Sequence, residues 1–258
     1  MTFAVAAEAY DLHVGRYGAR LGEELVRVAG IDAGQRALDV GAGAGALTRV
    51  LVDRLGAENV TALEPSETFV AALEARLPGV DVRRGAAEEL PFADDEFDAA
   101  FAQLVVNFLA DPARGVAEMR RVVRPGGVVA ACVWDYPGEM TLLRAFWEAA
   151  ASLDPEGAAA VDERVVMGFD ESGELALLLR RAGLHEVSDG ALVVSADYAG
   201  FDDLWAPFLR GVGPSGAYAT ALAAAEQEAF RDEYRRRLGD PEGPFRLSAR
   251  AWYAVGTV

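Results

Sequence analysis

The sequence predicts an α/β fold, a parallel sheet covered by helices, and three observations carry that reading. Between residues 36 and 134 short β-type runs alternate with segments of helical period, the trace left by strands joined through crossover helices. The first run ends in a glycine-rich turn, Gly41-Ala42-Gly43-Ala44-Gly45. The last, Val128 to Trp134, is an unbroken apolar stretch of the kind that fills a strand buried on both faces.

The elements follow in order. Before the sheet, Ala4 to Ala29 reads as one or two helices, with Leu12, Leu21, Leu25 and Val28 as the apolar face. Arg36 to Val40 is a strand running into Gly41, and the helix after the turn carries Leu47, Val50, Leu51 and Leu55 on one side. Val60 to Leu63 is a second strand ending at Glu64, and Phe69, Leu73 and Leu77 mark its following helix. Strand three is Val80 to Arg83 and strand four Phe97 to Ala102. Asp111-Pro112 starts a helix, with Asp as N-cap and Pro at the first helical position, and that helix ends near Arg124-Pro125-Gly126-Gly127, which leads into strand five. Residues 137 to 184 read as mostly helical, Val187 to Ser195 as a strand, 200 to 238 as helical again, and Phe245 to Val255 as a closing strand. With no repeat and no long linker, the expectation is one domain over 1–258: cap helices in 1–35, the core in 36–134, a late sheet with helical insertions in 135–244, and the closing strand in 245–258.

A chain of 258 residues with 52% hydrophobic and 25% charged residues can bury a core without disulfides or metal. All 24 basic residues are Arg, and against 41 acids they leave a formal charge of −17. Such a chain repels polyanions, so nucleic acid is not expected as a partner, and anionic membrane surfaces are disfavoured too. The basic runs Arg83-Arg84 and Arg235-Arg236-Arg237 are flanked by acids and read as solvated surface. Cys132 is the single cysteine, which excludes an internal disulfide and a cysteine-built zinc site; no metal is expected. Residues 1–8 lack the basic start of a signal peptide and no apolar run is long enough to span a bilayer, so a cytoplasmic protein, monomeric or homodimeric, is the simplest expectation.

The glycine turn is the strongest chemical signal. Glycine makes the tight turn and lets a ligand approach backbone where a Cβ would collide. Its spacing alone is ambiguous, since Gly41, Gly43 and Ala46 also fit the dinucleotide pattern G-x-G-x-x-[GA]. Three neighbours bear on the choice. Asp39 lies two residues before the first glycine, where an acid can hold a cationic amino group. Glu64 ends the next strand, at the height where a carboxylate accepts from both ribose hydroxyls. Arg124-Pro125-Gly126-Gly127 leads into strand five.

Together these residues resemble the class I S-adenosylmethionine-dependent methyltransferases, in particular the small-molecule branch that includes the ubiquinone/menaquinone C-methyltransferase type. The likeness is close over about residues 36 to 134 and looser at Ala9-Tyr10-Asp11 and Gly15-Arg16-Tyr17; it continues in Gly85-Ala86-Ala87-Glu88-Glu89-Leu90-Pro91-Phe92 and Phe97-Asp98-Ala99-Ala100. It implies a Rossmann-like, doubly wound sheet of order 3-2-1-4-5-7-6 with strand seven antiparallel, helical cap insertions around a cofactor-binding core, and methyl transfer from S-adenosyl-L-methionine, leaving S-adenosyl-L-homocysteine, to an O, N or C nucleophile of a small-molecule acceptor. It places Gly41, Ala42, Gly43 and Gly45 at the methionine and ribose portion, Asp39 near the amino group, Glu64 on the ribose hydroxyls, and Pro65 or Ser66 against the adenine. Ala86 and Ala87 fall beside the adenine edge, Gln103 beside the methionine portion, and Tyr17 also falls among the cofactor-binding positions. Relatives usually have Asp where this chain has Ala86, so recognition of the adenine amino group is left to the Ala87 backbone or to Glu88.

The remaining candidates carry plainer readings beside functional ones. His13, Asn107, Asp135 and Tyr136 are the candidate orienting or basic groups, although a partly exposed helical His is the commoner reading of His13, and Asn107 faces either the site or solvent. His185 reads as surface and Cys132 as a small apolar core residue. The aromatics Trp134, Tyr136, Phe146, Trp147, Trp205, Phe208 and Trp252 read as core, with two or three expected in a pocket past strand five. Strand four runs into Ala102-Gln103-Leu104-Val105 and not an Asn/Asp-Pro-Pro-aromatic turn, which argues against methylation of a nucleobase amine. Two other classes use the same glycines: a nicotinamide-dependent oxidoreductase, and a non-catalytic S-adenosylmethionine-binding protein.

Overall fold

A computed structural model describes Tyr10, residues 12–169 and residues 171–258. The segment 1–9 and Asp11 lie outside it, and with them part of the expected first helix and of the Ala9-Tyr10-Asp11 motif. Seven strands form one sheet in the order β3-β2-β1-β4-β5-β7-β6. They are β1 (Ala37–Val40), β2 (Val60–Glu64), β3 (Asp81–Arg84), β4 (Phe97–Gln103), β5 (Val123–Trp134), β6 (His185–Tyr198) and β7 (Phe245–Thr257). β1 through β5 pair parallel, and β7 runs antiparallel to β5, with Val128 opposite Thr257 and Trp134 opposite Ala251. This is the order that the resemblance implies.

The described residues divide into two compact units, one drawn from Tyr10, 12–17, 135–169 and Val193–Arg250, the other from Gly18–Trp134, Glu171–Leu192 and Ala251–Val258. The second holds β1 to β5 and their helices. There α1 (Gly18–Ala29) buries Leu21, Gly22, Leu25, Val26 and Ala29, a stripe of helical period. Two members of the expected apolar face fall off it: Leu12 precedes the helix and is 40% exposed, and Val28 is only half-buried because the buried stripe follows the i, i+4 rows Leu21-Leu25-Ala29 and Gly22-Val26, which leave Val28 on its flank. α2 (Ala46–Leu55) buries Leu47, Thr48, Leu51 and Leu55, and α3 (Glu67–Arg76) buries Phe69 and Leu73. Leu73 and Leu77 pack with Ala62 of β2, and Ala42 of the glycine turn packs on that group, which ties the turn to the sheet. α4 (Pro112–Val122) starts as expected: Asp111 is the N-cap, accepting from the Arg114 amide at 3.0 Å, with Pro112 in the first turn.

β5 corrects one reading. The helix ends at Val122, near Arg124-Pro125-Gly126-Gly127 as expected, but that run does not precede the strand; it lies inside β5, at an irregularity in the pairing with β4 between Phe97 and Ala99. Gly126 sits at φ +77° and its amide donates to Val258. A Cβ on Gly127 would come within 2.5 Å of the Asp98 carbonyl oxygen. Glycine is there so that two backbones can approach.

In the first unit α5 (Thr141–Leu153) is followed by the short helices α6 (Pro155–Ala159) and α7 (Glu163–Val166). After α8 (Glu174–Arg181), which belongs to the second unit, come α9 (Phe201–Trp205), α10 (Gly213–Ala221) and α11 (Ala224–Arg237). Its core is aromatic. Phe146 stacks on Phe208 at 4.6 Å and meets Phe230 and Trp147 edge-on, and the Tyr234 hydroxyl donates to the Leu142 carbonyl at 3.1 Å. No helix among the described residues is long and apolar enough to cross a membrane. The basic runs are exposed or half-buried and paired: Arg83 with Asp81, Arg84 with Glu67, and Arg236 and Arg237 with Glu233.

Candidate active site

Parallel pairing puts the ends of β1, β2 and β4 at one edge of the sheet, and the chemistry gathers there. β1 delivers Asp39, which is 1% exposed. The Thr48 hydroxyl donates to Asp39 Oδ2 at 2.6 Å, and the Thr48 backbone amide bonds the same carboxyl. Thr48 is the third residue of α2, whose N-cap, Gly45, is left-handed at φ 90° and offers no side chain. Asp39 therefore supplies from the neighbouring strand the acceptor that an N-cap side chain would ordinarily give. Burial pushes its pKa up to about 7, helped by the nearby Glu64 and opposed by Thr48.

Glu64, at the end of β2, turns both oxygens to backbone. Oε2 accepts from the Gly43 amide and Oε1 from the Ser66 amide, each at 2.9 Å. Burial raises its pKa while the two amides pull it down. The rest of the turn hangs on Leu63, whose carbonyl accepts from both Gly41 and Ala42.

The three glycines are not equivalent. A Cβ on Gly41 would strike Val105 at 2.6 Å and one on Gly45 would strike Leu73 at 2.8 Å, so both are needed for packing. Gly43, at φ +55°, has nothing within 4 Å of its Cβ position. It is the member of the trio that leaves room for a ligand. Val105 reaches Gly41 because Leu104 takes a left-handed φ of 62° at the end of β4, its amide donating to Cys132. Gln103, just before, donates from Nε2 to the Gly18 carbonyl at 3.0 Å, and its Oε1 is buried without a hydrogen-bond partner.

At the expected adenine end Pro65 and Ala86 are exposed, Ser66 is half-buried and Ala87 is buried. Glu88 is half-buried, and its Oε1 accepts from the Ala110 amide at 3.0 Å, in the loop before α4. Asn107 is half-buried in a short 3-10 turn, Val106–Phe108.

The other candidates lie in the first unit. His13 is not a partly exposed helical residue: it is 3% exposed in a turn, edge-on to Phe208 at 4.4 Å. Burial, with the positive Arg16 nearby, lowers its pKa to about 3, and its Nδ1 has no hydrogen-bond partner. The Tyr17 hydroxyl lies 3.2 Å from that of Tyr198. Asp135 is bound to the Gly138 and Glu139 amides and to Arg250, at 2.6 Å, which makes it the clamp of a turn. Tyr136 is buried at 3% exposure. Sequence reasoning passed over Thr48 and Glu163. Thr48 carried a signal, a polar residue beside the apolar Leu47 and Leu51; Glu163, set between Asp162 and Arg164, reads as part of a solvated charge run and carried none, yet it is buried and accepts from Trp147 Nε1 at 2.9 Å.

Residues 38–131 match the family model described as a methyltransferase domain. A 2-methyl-6-phytyl-1,4-hydroquinone methyltransferase of Oryza sativa subsp. japonica is 33% identical over 150 residues, 57% of this chain and 41% of that protein; the chain thus spans about two fifths of this relative. An uncharacterized protein of Mycobacterium tuberculosis is 31% identical over 228 residues, 85% of this chain and 81% of its own. Among solved structures, phosphoethanolamine N-methyltransferase 2 of Haemonchus contortus, in complex with S-adenosyl-L-methionine, shares the fold with a TM-score of 0.61 at 14% identity, over 97% of this chain and 56% of that one. The strand order, the acid and glycine turn at the end of β1 and these likenesses agree: residues 38–131 form a methyltransferase domain, and the chain resembles the class I S-adenosylmethionine-dependent methyltransferases, a quinone-type methyltransferase among its relatives.

Proposed function

We propose that this chain transfers a methyl group from S-adenosylmethionine to an O, N or C nucleophile of a small metabolite. The observation that carries the reading is a pair of buried carboxylates at the ends of adjacent strands, Asp39 and Glu64, the latter on the amide of Gly43 whose Cβ position is open, with no basic side chain among the described groups that act on either. Buried acids without a cation are costly unless a positive ligand answers them. S-adenosylmethionine carries an ammonium group and a sulfonium. A nicotinamide dinucleotide would instead bring an anionic pyrophosphate to a turn and helix start whose Gly43 and Thr48 amides already face carboxylates. That charge pattern disfavours the oxidoreductase reading.

The residues fit the cofactor. Asp39 would hold its ammonium group, Glu64 its ribose hydroxyls through the lone pairs that the two amides leave free, and Gly43 would admit its body. Bound there, the cofactor would supply an already activated methyl group for displacement by the acceptor. The chain's task is placement, which can lower a barrier by roughly 7–11 kcal/mol. No strong base is required of it. Asp135 is spent on its turn, and His13, neutral at physiological pH, can orient a donor but binds a proton weakly.

Calorimetry with S-adenosylhomocysteine tests the proposal, with binding expected at micromolar level. Gly43→Val should abolish binding while the protein stays folded, because the added side chain enters open space at a turn whose amide Glu64 holds. Heat with a nicotinamide dinucleotide and none with S-adenosylhomocysteine would reverse the assignment.

A further inference from the structure

The methyltransferase reading needs Asp39 to be an anion when an ammonium group arrives, yet burial works against that charge and so does Glu64 on the adjacent strand. We propose that Thr48 is a positioning residue for cofactor binding: its hydroxyl, donated to Asp39 Oδ2, holds that carboxylate in place and keeps it available as the anionic partner of the ligand's ammonium group.

A helical threonine ordinarily returns its hydroxyl to the carbonyl one turn back. Thr48, fully buried in α2, spends its donor across to β1 instead, at 2.6 Å. A hydrogen bond of that kind favours the ionised acceptor. The groups around Asp39 leave no substitute. From β2 comes Glu64, of like charge; from α2 come the Thr48 hydroxyl and amide; at the end of β4 stands Gln103, which is neutral; no Arg or His acts on the carboxyl among the described residues. The amide of Thr48 survives any substitution there, so the hydroxyl is the part of the support that can be removed alone.

The proposal rests on the reading of the preceding subsection, and its test separates the two. Dissociation constants for S-adenosylhomocysteine are measured by calorimetry from pH 6 to pH 9 for the wild type, Thr48→Val and Thr48→Ser, with thermal melts at each pH to establish that each is folded. Loss of one hydrogen bond to a charged acceptor corresponds to about one pKa unit, hence about a tenfold change. Thr48→Val should therefore bind about tenfold more weakly than wild type at pH 6, and the ratio should fall toward one at pH 9, where Asp39 is ionised in both proteins. Titration of the ligand's own amino group and of Glu64 is common to both and leaves the ratio untouched. Thr48→Ser should follow the wild type. If valine is not accommodated beside the buried carboxyl, Thr48→Ala removes the hydroxyl without adding bulk and gives the same comparison. A ratio that stays constant with pH, or stays at one, or a serine variant that behaves like valine, overturns the proposal alone. A wild type that binds no S-adenosylhomocysteine at any pH overturns it together with the methyltransferase reading.

Discussion

At the scale of single residues, Glu64 does two things with one carboxylate, and the geometry puts its Ala and Gln variants on a level. Charge alone would put Gln above Ala, since the amide keeps one acceptor. But both oxygens of Glu64 accept backbone N–H groups, from Gly43 and Ser66. A glutamine must therefore turn its NH2 toward one of two donors, which breaks the brace on the turn. Glu64→Ala leaves the same amides to water and removes the proposed acceptor of the ribose. Hydrogen bonds to charged groups are worth about 1.5–3 kcal/mol each, so either variant should weaken S-adenosylhomocysteine binding by about 2–3 kcal/mol, roughly 30–150-fold. Calorimetry on the three proteins decides it. Equal constants would remove Glu64 from the site, and a glutamine variant close to wild type would show that the brace on Gly43 is dispensable.

At the scale of elements, what was legible in the sequence was whatever one element states by itself. The Asp111-Pro112 start of α4 and the unbroken apolar end of β5 are local statements, and both stand in the structure. Features that depend on two elements at once were hidden. Asp39 reads as a ligand-binding acid, but that it also caps α2 through Thr48 depends on how strand and helix meet. Arg124-Pro125-Gly126-Gly127 likewise reads as a helix stop and a family mark, while the structure makes it a bulge with β4 backbone pressed against Gly127, at the end of the sheet opposite the glycine turn. A stability prediction follows. Gly127→Ala sets a Cβ against two carbonyl oxygens, those of Asp98 and Arg124, and should cost about 2–3 kcal/mol. Gly126→Ala meets no atom within 4 Å and carries only the strain of its left-handed φ, about 1–2 kcal/mol. Urea denaturation should show that order, and S-adenosylhomocysteine affinity should be unchanged in both. A loss of affinity in a folded Gly127→Ala protein would mean that the bulge shapes the site after all.

At the scale of the whole molecule, buried acids and net charge act on stability in the same direction. Asp39 and Glu163 are each pushed by burial up to about 7. A carboxyl whose folded pKa lies above its unfolded value binds more protons when folded, so its contribution is complete below the unfolded pKa, near 4, and is lost as pH rises through the folded one. The window for both groups is pH 4 to 7. Over the same range the chain moves away from its isoelectric point of about 4.5 toward a charge of −17, and self-repulsion grows. On the acid side Asp98, Glu118 and Asp203 have pKa values lowered mainly by their Arg partners or backbone amides, and their contribution disappears as pH falls through those lowered values. The melting temperature of the ligand-free protein should therefore peak near pH 5 to 6 and decline by pH 8. Glu163 isolates the buried-acid part of this decline, because it lies in the aromatic unit and not among the residues proposed to hold the cofactor. Glu163→Gln keeps an acceptor for Trp147 Nε1 and cannot ionise. It should leave the melt at pH 5 nearly unchanged and stabilise the protein at pH 8 by about 1–3 kcal/mol, with each kcal/mol worth roughly 2–4 °C at this size. An equal shift at both pH values would assign the effect to packing, and a lower melt at pH 8 would show that the ionised carboxylate stabilises its surroundings.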